Sequence, residues 1–354
     1  MAETRALVKS LFSLTKPRVV VLLQITAMCA ILSHDLIETN KINQSTLEVM
    51  MIVFIGGYLT AGGANCINMW YDRDIDPIMT RTSKRPLSVG DITPKKALLF
   101  GISISIIGTL WLLKMANEVA AFWALFSILF YVFIYTIWLK RTSVQNIVIG
   151  GIAGSTPPVI GWAAAEGELE LEFSSAHEFI DSIVNIGGYM PWFMFLLIFL
   201  WTPPHFWALA LYRSGEYEKV GVPMMPNVKG KGRTLVEMKI YSILLILLSL
   251  TTPLAFQEKS NSIELSDLDF NISLAVINSL ILSIWYVLTV WKININDEND
   301  IMPTASHSFF VSLTYLAVMF MILVLTSINF IIKGSIVSTV LVLYIIFRKR
   351  GGKE

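Results

Sequence analysis

Residues 65 to 87 read Asn-Cys-Ile-Asn-Met-Trp-Tyr-Asp-Arg-Asp-Ile-Asp-Pro-Ile-Met-Thr-Arg-Thr-Ser-Lys-Arg-Pro-Leu, and in them Asn68, Asp72 and Asp76 fall at i, i+4 and i+8. If the apolar run Met50 to Ala64 continues as a helix to Pro77, these three side chains stack on one face, while Arg73 and Asp74 point elsewhere. Carboxylates at i, i+4 repel by a few tenths of a kcal/mol, roughly, on an exposed helix. Near a bilayer a charge costs more, about 2.5–3.5 kcal/mol at the centre. Such an arrangement calls for a counter-charge. A hard cation suits it, because Mg²⁺ takes carboxylate and amide oxygens and leaves room for substrate phosphates. The helix C-terminus favours cations as well. Arg81, Lys84 and Arg85 follow at once. Carboxylates for a metal beside guanidinium and ammonium groups are what a diphosphate needs: the metal bridges its oxygens and the basic groups clamp them. The plainer reading is a polar loop whose acids balance its bases, and the ordered spacing argues against it.

These residues must be held by membrane-spanning helices. Of 354 residues, 55% are hydrophobic and 15% charged, against about 25% charged in soluble domains. The mean hydropathy is +0.64. Several apolar runs reach the roughly 18 residues that read as a transmembrane helix, so the chain is an all-α polytopic membrane protein. A net charge of +1 gives no sign of nucleic acid as a partner; the partner composition does imply is the lipid bilayer. Cys29 and Cys66 lie in apolar stretches and offer neither a disulfide framework nor zinc spacing. The expected spans are Val19 to Ile37, then about 47–70, 96–114, 118–139, Gln145 to Ala165, 189–212, 236–256, 270–291 and 306–332. The fifth carries Gly150, Gly151, Gly154, Pro157, Pro158 and Gly161, which predicts a kinked helix with close neighbours. Ile336 to Phe347 is too short to span, so 1–332 is expected to form one transmembrane domain, with 333–354 an apolar extension and basic tail. The arm before span one, the 70–95 loop, Lys140–Arg141 and the 213–233 loop are basic. The intervening loops, including Glu166 to Gly188, are acidic or nearly free of Lys and Arg. That bias places the N-terminus and the basic loops in the cytoplasm.

The loop Arg213 to Arg233 is rich in Gly and Pro and basic. It reads either as a second half-site, with Arg213, Lys219 and Lys229 for phosphate and Glu216 or Glu218 for a metal, or as an ordinary positive-inside loop. His205 follows two prolines inside the sixth span and is either an interior hydrogen-bonded residue, a base or a haem-iron ligand. His34 and His307 sit at span ends and His177 in the acidic loop.

Asn68-Met-Trp-Tyr-Asp72-Arg-Asp-Ile-Asp76, with Arg81-Thr82 and Arg85-Pro86-Leu87, resembles the first aspartate-rich motif of the UbiA superfamily of intramembrane prenyltransferases. Leu14-Thr-Lys-Pro-Arg18, Gln145-Asn-Ile-Val-Ile-Gly-Gly151, Thr156-Pro-Pro-Val-Ile-Gly-Trp162, Trp201-Thr-Pro-Pro-His205 and Tyr217 through Pro223-Met-Met-Pro226 are similar to the branch that farnesylates haem. The likeness covers spans one to six and the next loop; the last third matches in hydropathy only. Two departures stand out. Met69 replaces an aspartate that many relatives carry. Arg213 and Tyr217 stand where a second aspartate-rich motif would fall, with Glu216 between them.

The resemblance implies about nine transmembrane helices around a central cavity. It implies farnesyl diphosphate and haem B (protohaem IX) as substrates, haem O as product and Mg²⁺ as cofactor. Asn68, Asp72 and Asp76 would be the catalytic metal ligands, with Glu216 a further candidate. Arg81, Lys84, Arg85, Lys140, Arg141, Arg213 and Lys219 would meet the diphosphate, and His205 the haem. A haem A synthase or an oxidase-assembly protein would be a partner, and a prokaryotic plasma membrane the location. Two rivals remain: the same fold acting on an aromatic acceptor such as 4-hydroxybenzoate, and a multi-pass transporter with a midplane site.

Overall fold

Helices form wherever the apolar runs predict them, because backbone groups in lipid must be satisfied within their own segment. The computed structural model describes residues 2–256, 270–296, 302–328 and 333–348. A short helix α1 (Ala2–Leu14) precedes α2 (Pro17–Glu38), α3 (Gln44–Tyr71) and α4 (Pro94–Met115). Then come α5 (Glu118–Leu129), wound on as a π-helix over Phe130–Leu139 and closed by Lys140–Thr142, and α6 (Asn146–Ser155), α7 (Pro157–Ala165), α8 (Ala176–Val184) and α9 (Met190–Tyr212). The chain ends with α10 (Ser214–Glu218), α11 (Met225–Leu250), α12 (Phe270–Trp291), α13 (Pro303–Thr326) and α14 (Lys333–Arg348). Among the described residues eight helices are long and apolar enough to cross a membrane, counting α6 and α7 as one. The bundle's ninth, α11, is apolar only in its second half.

Neighbours in sequence pack in turn from α2 to α5, α9 carries α11, α11 carries α12 and α12 carries α13, and α13 returns to α2, closing the ring. Ile106, Leu110 and Phe133 point outward and are exposed, as expected of a surface solvated by lipid. The α3–α4 seam is the closest. A Cβ on Gly63 would lie 2.1 Å from Ser105 Oγ, and one on Gly108 2.8 Å from Leu59 Cβ. Small residues let membrane helices approach this way, and the seam holds α3 firmly along the length that leads to Asn68.

Two stretches differ from the sequence expectation, and one kink falls where it was expected. Helix α3 stops at Tyr71 and does not continue to Pro77; Asp72–Asp74 form one 3₁₀ turn. Asp is a poor helix former, and Pro77 and mutual carboxylate repulsion oppose further winding. The fifth span is kinked as expected, its two helical halves meeting at Thr156, which keeps helical backbone angles (φ −74°, ψ −24°). Pro157 has no N–H for the Ala153 carbonyl, and Ser127 Oγ (3.0 Å) and Thr156 Oγ1 (2.9 Å) donate to it instead. The Arg213–Arg233 stretch is mostly not loop: α10 and the start of α11 occupy it, with a bend at Gly230 (φ 81°). Of the ninth expected span, residues 329–332 lie outside the described residues, as does the tail from 349. Helix α14 packs along α12 and α13, where Asn278 Nδ2 donates to Ser338 Oγ (2.9 Å) and Thr339 Oγ1 (3.0 Å).

At the end of the bundle away from Asp72, His34 is buried although it sits at a span end. Its Nδ1 faces Asp35 (2.8 Å), its Nε2 faces Glu166 (3.0 Å), and its ring stands edge-on to Trp162. Thr46 Oγ1 donates to Asp35 (2.5 Å), so this knot joins α2, α3 and the end of α7.

Candidate active site

The last turn of α3 delivers Asn68, 3% exposed, and Asp72, 0% exposed, to one face. Asn68 Nδ2 donates to Asp72 Oδ2 (3.0 Å), and the Asp72 N–H caps the helix on the Asn68 carbonyl. Beyond the helix one more turn continues the spacing, since the Asp76 N–H donates to the Asp72 carbonyl (2.9 Å). Asp76 is thus buried beside Asp72 without a continuous helix. Its carboxylate accepts from Arg85 Nη1 through both oxygens (2.8 and 2.6 Å). Thr82 Oγ1 ties the same loop back to the Asp76 carbonyl (2.7 Å). Asp74 faces outward, and the Arg141 fork grips it at 2.7 Å on each oxygen.

The facing wall is the π-helical segment. Lys140 Nζ donates to Asp72 Oδ2, and Arg141 Nη2 stands 3.6 Å from Asp72 Oδ1. Thr136 Oγ1 accepts from Asn68 Nδ2 (3.1 Å). Tyr131 and Tyr135 stack at 5.3 Å. A third wall is Lys16, whose Nζ donates to Asn68 Oδ1 (2.6 Å). Lys16 has φ 52° and ψ 60° immediately before Pro17, a left-handed conformation rare for a residue with a Cβ and found where function sustains the strain. Desolvation, reinforced by the charges of Arg85 and Lys140, lowers the Lys16 ammonium to about 7, against the opposing pull of Asp72 and Asp76.

The structure therefore brings together Asn68, Asp72, Asp76, Arg85, Lys140 and Arg141. Arg81 is exposed but, with Tyr217, lies within electrostatic reach of Tyr135. Lys84 and Lys219 are exposed and make no ion pair among the described residues. Arg213 pairs with Glu216 (3.0 Å) and lies over the Tyr212 ring. Glu216 Oε2 is buried with no hydrogen-bond partner among the described residues. Lys16, Thr136 and the tyrosine pair escaped the sequence reading. Only Lys16 left a trace there, as the Lys-Pro dipeptide before the first span.

His205 is 6% exposed, stacked between Trp201 (4.1 Å) and Phe309 (4.5 Å). Ser312 Oγ donates to the Phe309 carbonyl (2.6 Å), so it accepts from His205 Nδ1 (2.6 Å). That tautomer leaves the Nε2 lone pair open.

Among the described residues no group of three or more His, Cys, Asp and Glu side chains converges as a metal cage. The Asn68–Asp72–Asp76 set nonetheless fits a hard cation. It consists of oxygens only, both carboxylates are buried, and Asp72 Oδ1 lacks a hydrogen bond. Mg²⁺ needs only one or two carboxylates when substrate phosphates and water complete its shell.

Buried carboxylates ringed by cations at one end of a closed helical bundle define an intramembrane enzyme that handles a polyanionic leaving group. The chain belongs to the UbiA prenyltransferase family, whose model matches residues 26–313. It is similar to the protoheme IX farnesyltransferase of Bartonella tribocorum, 40% identical over 317 residues and covering 89% of each chain. The protein of the same name from Symbiobacterium thermophilum is 45% identical over 244 residues, 69% of this chain and 74% of that one. Among solved structures, a digeranylgeranylglyceryl phosphate synthase superposes with a TM-score of 0.65 at 18% identity, covering 93% of this chain and 100% of that one. A UbiA homolog from Archaeoglobus fulgidus bound to DMAPP and Mg²⁺ gives 0.58 at 15% identity, over 91% and 99%. At those identities the structures share the fold.

Proposed function

We propose that this prenyltransferase moves the farnesyl group of farnesyl diphosphate onto a vinyl group of haem B, with addition of water, to give haem O for haem-copper oxidases. The observation that carries it is the Asn68–Asp72–Asp76 cluster held among Lys16, Arg85, Lys140 and Arg141, in a chain whose similar relatives are named for this reaction. That shared name favours haem over an aromatic acid as acceptor.

In this reading the bond between farnesyl C1 and the bridging oxygen breaks, and its electron pair leaves with diphosphate. The vinyl π electrons close on C1, water adds to the resulting cation, and the water's extra proton is lost. Mg²⁺ held by Asn68, Asp72 and Asp76, with Glu216 a further candidate, would neutralise charge on the leaving group. Lys16, Arg85, Lys140 and Arg141 steady the same charge as it develops. Arg81 stands at the rim and Arg213 beside Glu216; Lys84 and Lys219 contribute long-range attraction only. The Tyr131–Tyr135 pair offers ring faces beside this cluster, suited to an allylic cation kept from early capture by water. The open Nε2 of His205 is a haem contact in this reading. Tyr71, Lys140 and the basic loops face the cytoplasm of a prokaryotic plasma membrane, and a haem A synthase or oxidase-assembly protein takes the product onward.

The test is incubation of the purified chain with Mg²⁺, haem B and farnesyl diphosphate, followed by mass spectrometry. Mg²⁺-dependent farnesylated haem is expected. Diphosphate release only with an aromatic acceptor would move the chain to another branch of the family.

A further inference from the structure

The hydrogens around Asn68 can be counted. Thr136 Oγ1 donates its one hydrogen to the Tyr131 carbonyl (2.8 Å), so toward Asn68 it can only accept. Asn68 Nδ2 gives one hydrogen to Thr136 (3.1 Å) and the other to Asp72 Oδ2 (3.0 Å). Its Oδ1 is left facing Lys16 Nζ at 2.6 Å. Flipping the amide would set its oxygen against the Asp72 carboxylate and against a Thr136 oxygen whose hydrogen is already given away, repulsive at both contacts. The amide oxygen is therefore held toward the place that Lys16 Nζ occupies.

Thr136 reaches Asn68 because of how its helix is wound. An α-helix advances about 100° per residue and an i→i+5 helix roughly 80°. From Tyr131 to Lys140 is nine residues, about two and a half turns in an α-helix, which would place them on opposite faces. In the π-helical winding of Phe130–Leu139 it is about two turns, and Tyr131, Tyr135, Thr136 and Lys140 share one face. That is the face that meets Asn68 and Asp72.

We propose that Thr136 is a positioning residue for the cation site: it locks the Asn68 amide with its oxygen toward the ion, and the π-helical winding puts it there. This rests on Asn68 as a cation ligand but not on which acceptor is prenylated. Hydrogen-bond partners behind a metal ligand typically govern metal affinity by 10–100-fold, roughly.

The probe is Mn²⁺, titrated by electron paramagnetic resonance into the full chain in detergent with pyrophosphate present. Thr136→Val, which keeps the shape and removes the acceptor, should weaken Mn²⁺ about tenfold or more, and Thr136→Ser should restore it to within about threefold. In an Asn68→Ala background Thr136→Val should cost nothing further, because the amide it orients is gone. Mn²⁺ binding by Thr136→Val equal to the parent, or an unchanged loss in the Asn68→Ala background, overturns the proposal while leaving the metal site standing. A parent chain that binds no Mn²⁺ overturns the metal site itself. A second variant tests the winding: deleting Phe133, which is 56% exposed on the outer face, should rewind the segment and reproduce the Thr136→Val loss. A folded deletion variant that binds Mn²⁺ normally removes the winding from the proposal.

Discussion

Lys16 Nζ lies 2.6 Å from Asn68 Oδ1, joining residues 52 positions apart, and so holds the place a divalent cation would take on that oxygen. Replacing Lys16 by Met should have two opposite effects. Mn²⁺ should bind the substrate-free protein about tenfold more tightly, a gain of about 1.4 kcal/mol, because a competing charge is gone. The KM for the prenyl diphosphate should rise, because one of its cations is gone as well. Titration of Mn²⁺ together with steady-state kinetics checks both signs; weaker Mn²⁺ binding would contradict the place-holder role.

The three aspartates of the motif should separate sharply. Asp72→Asn and Asp76→Asn should each cut Mg²⁺-dependent diphosphate release by about a thousandfold or more, comparable to removing a principal electrostatic group from a transition state. Asp74 is exposed and, among the described residues, forms its ion pair with Arg141, so Asp74→Asn should stay within about threefold, as surface pairs contribute little. Equal losses at all three would mean that the motif acts through charge alone.

Arg85 compensates a carboxylate that has almost no access to water. Removing one partner of a buried pair leaves the other charge stranded at about 3–5 kcal/mol. Arg85→Ala should lower the thermal midpoint in detergent clearly, whereas Lys84→Ala, one residue away and exposed, should not move it. A stable Arg85→Ala protein would show that Asp76 finds another cation.

His205 offers an open Nε2 because Ser312 holds Nδ1. His205→Ala should weaken haem binding by about tenfold, or about 1.4 kcal/mol, and alter the haem absorption band while Mn²⁺ binding stays unchanged. An unaltered band would make His205 a packing residue between Trp201 and Phe309.

The spans were legible because hydropathy and length decide them, and the first motif because its acids stand out against an apolar background. What stayed hidden depends on where side chains turn. Arg85 and Lys84 are adjacent basic residues in one loop, yet only Arg85 reaches Asp76. The end of α3 was misplaced because an i, i+4 spacing survives in a turn as well as in a helix; the Asp76 N–H still meets the Asp72 carbonyl. Thr136 carried no signal, since nothing in Phe-Tyr-Val-Phe-Ile-Tyr-Thr-Ile-Trp-Leu announces i→i+5 winding. Glu216 and Arg213 looked like a second half-site, and in the fold they pair with each other.

The contact between α13 and α2 has a consequence in time. Synthesis runs N-terminal first at about 5–20 residues per second, so α2 enters the membrane tens of seconds, roughly, before α13 exists to cover it. During that interval the face of α2 that meets α13 has no final neighbour, and the ring can be completed only after the last spans are inserted. Chains halted before Pro303 should therefore remain open to proteases and to membrane chaperones, however well their first eight spans are made.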